Sequence, residues 1–586
     1  MTSDPATDGW AGTPRPDTLP GPLIDELVRS ASVVRLPAGD WLFRQGDAPD
    51  RLYIVRSGRL EVVLESAGAP RRINALTAGD LVGELALITG EPRSASVRAR
   101  RDSELAAVDR SQFEGLLLDK PEFALALVHR LAESLQGREP VAPPEHQALR
   151  VLSVLDGGDP AAGWLRDLLL GELRRHREVA TLDGSEPGHD IEASARLLDR
   201  YEAEHELVVL FDRPGPLNDP WNTFCARQGD AVLIVAPVGA RPPQRLEGTP
   251  PTHVALWGRR ATAADWVPWI EQLAPVSHHD LGRPPSAAPA VARLARRALG
   301  RSVGVVLSGG GARALAHIGV LETLAGAGIV IDRVGGTSMG SFIGGLVALG
   351  LDAAEIAEVC HQELVLNNAF NDYTVPRVAL LRAAKAEQML QRVFGTAHIE
   401  ELPLDYFAVS CDLVTASTVV DRQGPLWEAI GTSMSIPGLV PPVPLGAQIL
   451  VDGGLLDNLP IAAMATEPGT VIAVDVMGSG WNPRRVRAEA RPTAAGLRGW
   501  LSNVGGLGPE QVPTIVETLT RTSVMGSWRA AAEHRARADL VIAPDVARTG
   551  LLDFAAFDDL VAHGRAAARA ALDAESTAIP RDATTP

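Results

Sequence analysis

Three short stretches of the chain carry residue types suited to acyl transfer. Residues 336–340 read Gly-Thr-Ser-Met-Gly, with Ser338 between two glycines. Gly309, Gly310 and Gly311 run together and are followed by Ala312 and Arg313. Far downstream stands Asp452-Gly453-Gly454. A serine hydroxyl is a weak nucleophile until a base takes its proton. Between glycines it can occupy a sharp, strained turn with its oxygen exposed at the start of the next helix. A glycine run can aim several backbone N–H groups at one point, which suits a developing oxyanion. Arg313 then supports either that loop or the charge. Residue types alone leave the base open. His317, His361 and His398 are candidates, but none follows a strand where a hydrolase triad would put it, and His317 reads as a packed core histidine. The alternative is Asp452 acting directly on Ser338, which a carboxylate can do if a partly desolvated site raises its basicity. In a chain with 56 glycines a lone Gly-x-Ser-x-Gly says little. Its context says more.

That context is two strand–turn–helix units. Residues 303–307 form a short apolar run, hence a buried strand, and 312–325 are apolar enough for a buried helix with Gly328 as its cap. Residues 329–334 read as a second strand, and 342–349 as a second helix closed by Gly350. Consecutive units of this kind imply parallel strands with a right-handed crossover, so both turns fall on the carboxyl edge of the sheet. Beyond Gly350 the pattern is helical to about Gly395. Strands are expected at 406–412, 449–451 and 471–476, so Asp452 also lies at a strand end. Residues 477–508 read as loop, with Arg484, Arg485, Arg487, Arg491 and Arg498 near Trp481 and Trp500. Such a stretch can rest on anionic lipid headgroups or simply face water. Helices are expected from there to about Ala574, and 575–586 read as a flexible tail.

The 586 residues imply several domains. A net charge of −17 argues against a nucleic-acid binder. Cys225, Cys360 and Cys411 are odd in number and widely spaced, which points to a reducing compartment and to neither a disulfide framework nor a metal cluster. Cys225 reads as a small buried residue. No apolar core follows basic residues in the first 25 positions, and no run is apolar enough to cross a bilayer. The expected location is therefore cytoplasmic, with peripheral contact at the inner face of the membrane.

Upstream of the core, residues 1–20 read as disordered. Residues 21–136 alternate and are punctuated by glycines, as in a small β-barrel or jelly roll. A run from Gly83 to Val97 sits inside it. A short helix starting near Glu84 would present N–H groups to an anion, Arg93 could join the same phosphate, and Glu84 could accept from a sugar hydroxyl. A barrel turn with a surface ion pair accounts for the same residues. Residues 136–148 form a Pro-rich linker. Residues 149–280 read as a middle α/β domain with strands at 150–155, 207–211, 231–237 and 253–257 and no phosphate-binding glycine motif. His278 and His279 read as paired surface histidines in a loop. Residues 281–292 read as a second linker and 293–299 as a basic helical turn, leading into a core of 300–574.

Two resemblances follow from these residues. Leu36-Pro37-Ala38-Gly39-Asp40, Gly46-Asp47, Leu52-Tyr53-Ile54-Val55, Gly58 and the 83–97 run resemble the cyclic nucleotide-binding domain family. That resemblance implies that Gly83, Glu84, Leu85 and Ala86 meet ribose and phosphate. It also implies that Arg93 pairs with the cyclic phosphate and that Ser94 and Ala95 complete the cradle, with cAMP favoured over cGMP. The glycine run, Gly336–Gly340 and Asp452-Gly453-Gly454 resemble the patatin-like phospholipases. More narrowly, Asp332–Gly344, Asp372-Tyr373-Thr374, Ala379-Leu380-Leu381-Arg382, Ser435-Ile436-Pro437-Gly438 and Asp457-Asn458-Leu459-Pro460 resemble the bacterial neuropathy target esterase group. The resemblance implies a Ser338–Asp452 dyad, an oxyanion site at Gly309, Gly310, Gly311 and Arg313, and an acyl-enzyme. It implies a lysophospholipid or phospholipid substrate, no catalytic metal or cofactor, and a cyclic nucleotide as regulator. The competing readings are a nucleotide-sensing scaffold with an inert core and a lipid acyltransferase.

Overall fold

A computed structural model describes residues 31–65, 71–119, 149–157, 159–184, 191–215, 219–244, 250–375, 377–478, 526–527, 534–574 and 579–580. The expected disordered N terminus, the 136–148 linker, the Arg/Trp stretch after 478 and all but two residues of the tail lie outside these. The chain forms two compact units, 1–261 with 267–300, and 262–266 with 301–586.

The first unit opens with β1 (Ser32–Leu36), β2 (Trp41–Phe43), β3 (Arg51–Ser57), β4 (Leu60–Leu64), β5 (Arg71–Leu76), β6 (Leu81–Val82), β7 (Ser96–Ala99) and β8 (Ser103–Asp109). They pair antiparallel in two four-stranded sheets, ordered β1-β8-β3-β6 and β2-β7-β4-β5. This is the expected jelly-roll-like barrel, closed around Val55, Leu60, Val97 and Leu105. Helix α1 (Glu84–Thr89) interrupts it between β6 and β7.

A third sheet in this unit holds β9 (Val151–Leu155), β10 (Val179–Leu182), β11 (Leu207–Phe211), β12 (Ala231–Pro237), β13 (Thr252–Trp257) and β14 (Ser277–Gly282). All pairings are parallel, in the order β10-β11-β9-β12-β13-β14. The central strands are buried on both faces, which is why VLSVL and LVVLF are legible as near-continuous apolar runs, the one polar residue, Ser153, donating to Cys225 O. Helix α2 (Gly163–Arg174) buries Leu165, Leu169 and Leu173 at helical spacing. Helices α3 (Ile191–Glu204) and α4 (Pro220–Gln228) follow, the latter capped by the Asp219 carboxylate.

Two expectations fail here. His278 and His279 stand in strand β14, opposite Val254 and Ala255, and not in a loop. Ser277 Oγ lies 2.7 Å from His253 Nδ1 and 2.9 Å from His279 Nε2. Polar side chains hid this strand, because one with an open side needs no unbroken apolar run. The expected linker at 281–292 runs into α5 (Ala288–Ala298), whose Val291, Leu294 and Ala295 are fully buried. Three prolines in 281–292 and several alanines disguised its apolar face. Strand β10 was likewise missed, being short and only partly apolar.

Barrel and parallel sheet share a buried ionic cluster. Arg101 reaches Glu202 Oε2 at 2.8 Å and Asp230 Oδ2 at 2.7 Å, and Arg59 lies 3.1 Å from Asp230 Oδ1. The two arginines hold the Asp230 carboxyl far below its ordinary range despite its burial. Asp199, buried beside Glu202, is pushed up to about 8, chiefly by desolvation.

The second unit is built on β15 (Val303–Leu307), β16 (Arg333–Thr337), β17 (Asp405–Asp412), β18 (Ser417–Asp421), β19 (Val443–Leu445), β20 (Gln448–Asp452), β21 (Thr470–Val474) and β22 (Leu540–Ile542). The order is β19-β20-β17-β16-β15-β21-β22, with β18 also on β17. Strands β17, β16, β15, β21 and β22 are mutually parallel. Strands β18, β19 and β20 are antiparallel to their neighbours. The sheet is mainly parallel, as expected, and the first crossover helix, α6 (Ala316–Gly326), lies between β15 and β16. The second strand begins at Arg333, not at 329, because Ile329 and Ile331 pack into the core before pairing starts. Helix α7 (Met339–Ala348) follows β16. The 351–395 region is not continuously helical. A π-turn covers His361–Leu366, a non-helical passage follows, and α8 (Ala384–Phe394) begins at Ala384. Helices α9 (Leu426–Ser433) and α10 (Phe557–Ala574) complete what the site requires.

Candidate active site

The register of β17 decides where the site forms. Strand β16 follows one edge of β17 as far as the pair Thr337–Val409. The chain then turns away at Ser338. The next residue of β17, Ser410, has Val419 of β18 on one side and Asp452 of β20 on the other. Strand β20 therefore takes the edge that β16 has just left. Two strands approach end to end, and the last residue of one meets the first residue after the other. Ser338 Oγ lies 2.6 Å from Asp452 Oδ2.

The turn at Ser338 is strained and tightly held. Its φ of 54° and ψ of −129° are uncommon for a residue with a side chain. Its N–H donates to Ser433 Oγ at 2.8 Å, and Ser433 Oγ in turn donates to Val409 O at 2.5 Å, fastening the turn to β17. The flanking glycines permit the approach of α7. A Cβ on Gly340 would come within 2.2 Å of Leu307 O, and one on Gly336 within 2.5 Å of the same oxygen. The motif is thus a packing requirement as well as a turn.

Asp452 is 5% exposed and Ser338 8%. Asp452 Oδ1 accepts from Gly454 N–H at 2.7 Å, which aims Oδ2 at the serine. Burial raises the Asp452 carboxyl to about 6, and the bonds from Ser338 and Gly454 offset only part of that rise. Among the described residues no histidine takes the same place. His317 is fully buried, donates Nε2–H to Ser308 O at 2.9 Å, and is driven down to about 4 by burial. His361 packs edge-on against Phe557, and His398 faces Glu400 at 3.4 Å.

The glycine loop lies beside the serine. A Cβ on Gly309 would meet Asn458 Oδ1 at 2.6 Å and Ser338 Cβ at 3.0 Å. Gly309 N–H donates to Asn458 O, and Asn458 Nδ2 donates back to Gly309 O. Of the three expected donors, Gly309 is therefore already engaged, while Gly310 and Gly311 N–H have no acceptor among the described residues. Arg313 is also committed, with Nε 2.8 Å from Thr549 O and a second nitrogen 3.1 Å from Ala547 O. It ties the loop to a later segment. Sequence reasoning missed Ser433 and gave Asn458 no role, although Asn458 stands inside a motif already quoted.

Comparison with known proteins bears on both units. Residues 305–465 match the patatin-like phospholipase family, and residues 33–120 match the cyclic nucleotide-binding domain. An NTE family protein of Mycobacterium tuberculosis is 34% identical over 572 residues, covering 94% of this chain and 94% of that protein. The chain belongs to the NTE family. It carries a patatin-like phospholipase domain, which makes it a lipid ester hydrolase, behind a cyclic nucleotide-binding domain. Patatin-like phospholipase domain-containing protein 6 of Homo sapiens is 29% identical over 533 residues, which cover 78% of this chain and 38% of that protein. Lysophospholipase NTE1 of Cryptococcus neoformans is 28% identical over 548 residues, covering 78% and 33%.

In this NTE family chain the barrel residues named from sequence gather around α1. Gly83 precedes the helix, Glu84 opens it, Leu85 is exposed and Ala86 buried. Arg93 is buried, with one guanidinium nitrogen 2.9 Å from Gly83 O and the other 2.6 Å from Arg51 O, and it lies 4.1 Å over the Phe43 ring. Ser94 is exposed and Ala95 buried beside it. Among the described residues no helix is long and apolar enough to cross a membrane.

Proposed function

We propose that the chain hydrolyses acyl esters of lysophospholipids or phospholipids through Ser338 and Asp452. The observation that carries this is the 2.6 Å approach of the serine oxygen to a buried carboxylate whose basicity is raised. Ser338 Oγ attacks the ester carbonyl carbon as its proton passes to Asp452 Oδ2. The resulting oxyanion lies against the N–H groups of Gly310 and Gly311 and the N-terminus of α7. Gly309 and Arg313 serve by holding that loop. The tetrahedral species collapses, the C–O bond breaks, and Asp452 returns the proton to the leaving alkoxide. Water then attacks the acyl-serine carbonyl and gives a proton to Asp452. The fatty acid leaves and the proton goes back to Ser338. The names of the human and fungal relatives support the phospholipid class.

The second part of the proposal is that a cyclic nucleotide, cAMP before cGMP, binds Gly83, Glu84, Leu85, Ala86, Arg93, Ser94 and Ala95 and alters turnover. Arg93 would exchange protein carbonyls for a phosphate oxygen, which alters the β3 and α1 contacts it now makes. Catalysis is assigned no metal or cofactor. The lipid is met at the inner membrane face.

The test is fatty acid release from a lipid panel by wild type and Ser338→Ala, with and without cAMP. Loss of release in Ser338→Ala with an unchanged circular dichroism spectrum is expected, and full activity there would remove the serine from the mechanism. A rate that does not change with cAMP would end the regulatory part.

A further inference from the structure

A segment bonded to the backbone beside Asp452 carries large exposed apolar side chains. Tyr373, Val375 and Val378 are 62%, 84% and 69% exposed. They stand on two short arms, residues 372–375 and 377–382, joined by the pairing of Tyr373 with Leu381 and by a bond from Thr374 N–H to Leu380 O. Leu380 and Leu381 N–H donate to Gly438 and Leu439 O. Only a few residues earlier in that turn segment, Ser435 O accepts from Asp452 N–H. The arms are therefore fastened to the same backbone that fixes the carboxylate. Leu413 and Ile449 are two more exposed apolar side chains of this unit. They are joined by a bond from Leu413 N–H to Ile449 O, are 48% and 41% exposed, and Ile449 is near the end of β20 opposite Asp452.

We infer that the Tyr373–Leu381 arms are a docking surface for an anionic phospholipid bilayer, set beside the mouth of the site. Three features favour that occupant. The arms are bonded to the 435–439 segment, which also holds the Asp452 N–H, and lifting an acyl chain through water to that dyad would cost the hydrophobic energy of every methylene. An exposed tyrosine beside exposed valines is the composition that settles at a headgroup boundary. Arg377 and Arg382 are exposed on the same arms and supply positive charge in an otherwise acidic chain. This inference rests on the reading that the dyad acts on lipid esters.

The experiment uses the full chain and vesicles of phosphatidylcholine, alone or mixed equally with phosphatidylglycerol. Flotation measures binding, and p-nitrophenyl butyrate, a freely dissolved ester, measures the dyad without a surface. Val375→Asp with Val378→Asp should lower binding to the mixed vesicles by roughly tenfold or more and leave butyrate turnover within about twofold. Arg377→Glu with Arg382→Glu should weaken binding to the mixed vesicles alone. It changes no apolar residue, so it keeps the inference testable if the first pair fails to fold. Wild-type binding by both pairs would overturn the inference. So would a wild-type dimer that the valine pair breaks, since a second copy would then be the occupant. If wild type lacks ester turnover yet binding behaves as stated, the hydrolytic reading falls and the docking surface stands.

Discussion

Asp452→Asn separates the roles of base and packing residue. Desolvation raises the Asp452 carboxyl from 3.8 to about 6, which corresponds to about 3 kcal/mol in favour of the neutral acid. The same burial that makes the ionised group costly makes it a stronger base. With wild type, kcat/KM should rise about tenfold per pH unit on the acid side and level off near pH 6. The amide keeps an acceptor for the Gly454 N–H but cannot take a proton, so fatty acid release should fall by about 10²–10⁴. Stability should move the other way. A carboxyl raised on folding contributes fully below pH 4, and that contribution is lost as pH rises to about 6. Above pH 6 the amide variant should therefore melt higher than wild type, by up to about 3 kcal/mol of unfolding free energy. Calorimetry at pH 5 and 7.5, alongside a pH–rate profile, reads both. A variant that keeps a tenth of wild-type activity, or an acid limb centred near pH 4, would refute the reasoning.

Two further outcomes follow from the same coordinates. Ser433→Ala removes the bond to Ser338 N–H and the one to Val409 O, so kcat should drop by about tenfold to a hundredfold with KM little changed, the mark of a positioning residue. Equal changes in both parameters would refute it. Asp199→Asn should stabilise the first unit at pH 7–8 by up to about 4–5 kcal/mol. Asp199 is raised to about 8, so its contribution falls as pH climbs from about 4 to 8. A melting temperature below wild type at pH 8 would count against that assignment.

What the sequence made legible was whatever burial on both faces or close backbone approach imposes on residue types. The all-buried strands β9, β11 and β15 could only be apolar runs, and Gly336 and Gly340 could only be glycines once α7 lies on Leu307. Strand β14 and helix α5 escaped, because half-polar or alanine-rich segments satisfy many folds equally well. The assignments of Gly309 and Arg313 needed coordinates for a different reason. Sequence shows which groups a residue owns, but not whether another residue already holds them. Asn458 holds Gly309, and the carbonyls of Ala547 and Thr549 hold Arg313.

The meeting of Ser338 and Asp452 is a consequence of strand accounting. A parallel strand that ends in a sharp turn leaves its neighbour with an unpaired edge, and unpaired edge groups near the interior are costly. Here β17 runs three residues past the last pair with β16, and β20 fills those three positions, Ser410 to Asp412, from the opposite direction. An antiparallel strand filling such a gap must finish where the first strand finished. Whichever residue ends it is brought to Ser338 without any further device. Lengthening β16 by one pair would displace Asp452 from Ser410, and the side chain there would point to the other face of the sheet. The approach of Ser338 to Asp452 and the completion of the sheet are the same event in this fold, so the register at Val409 and Ser410 is as necessary to the proposed chemistry as the two side chains themselves.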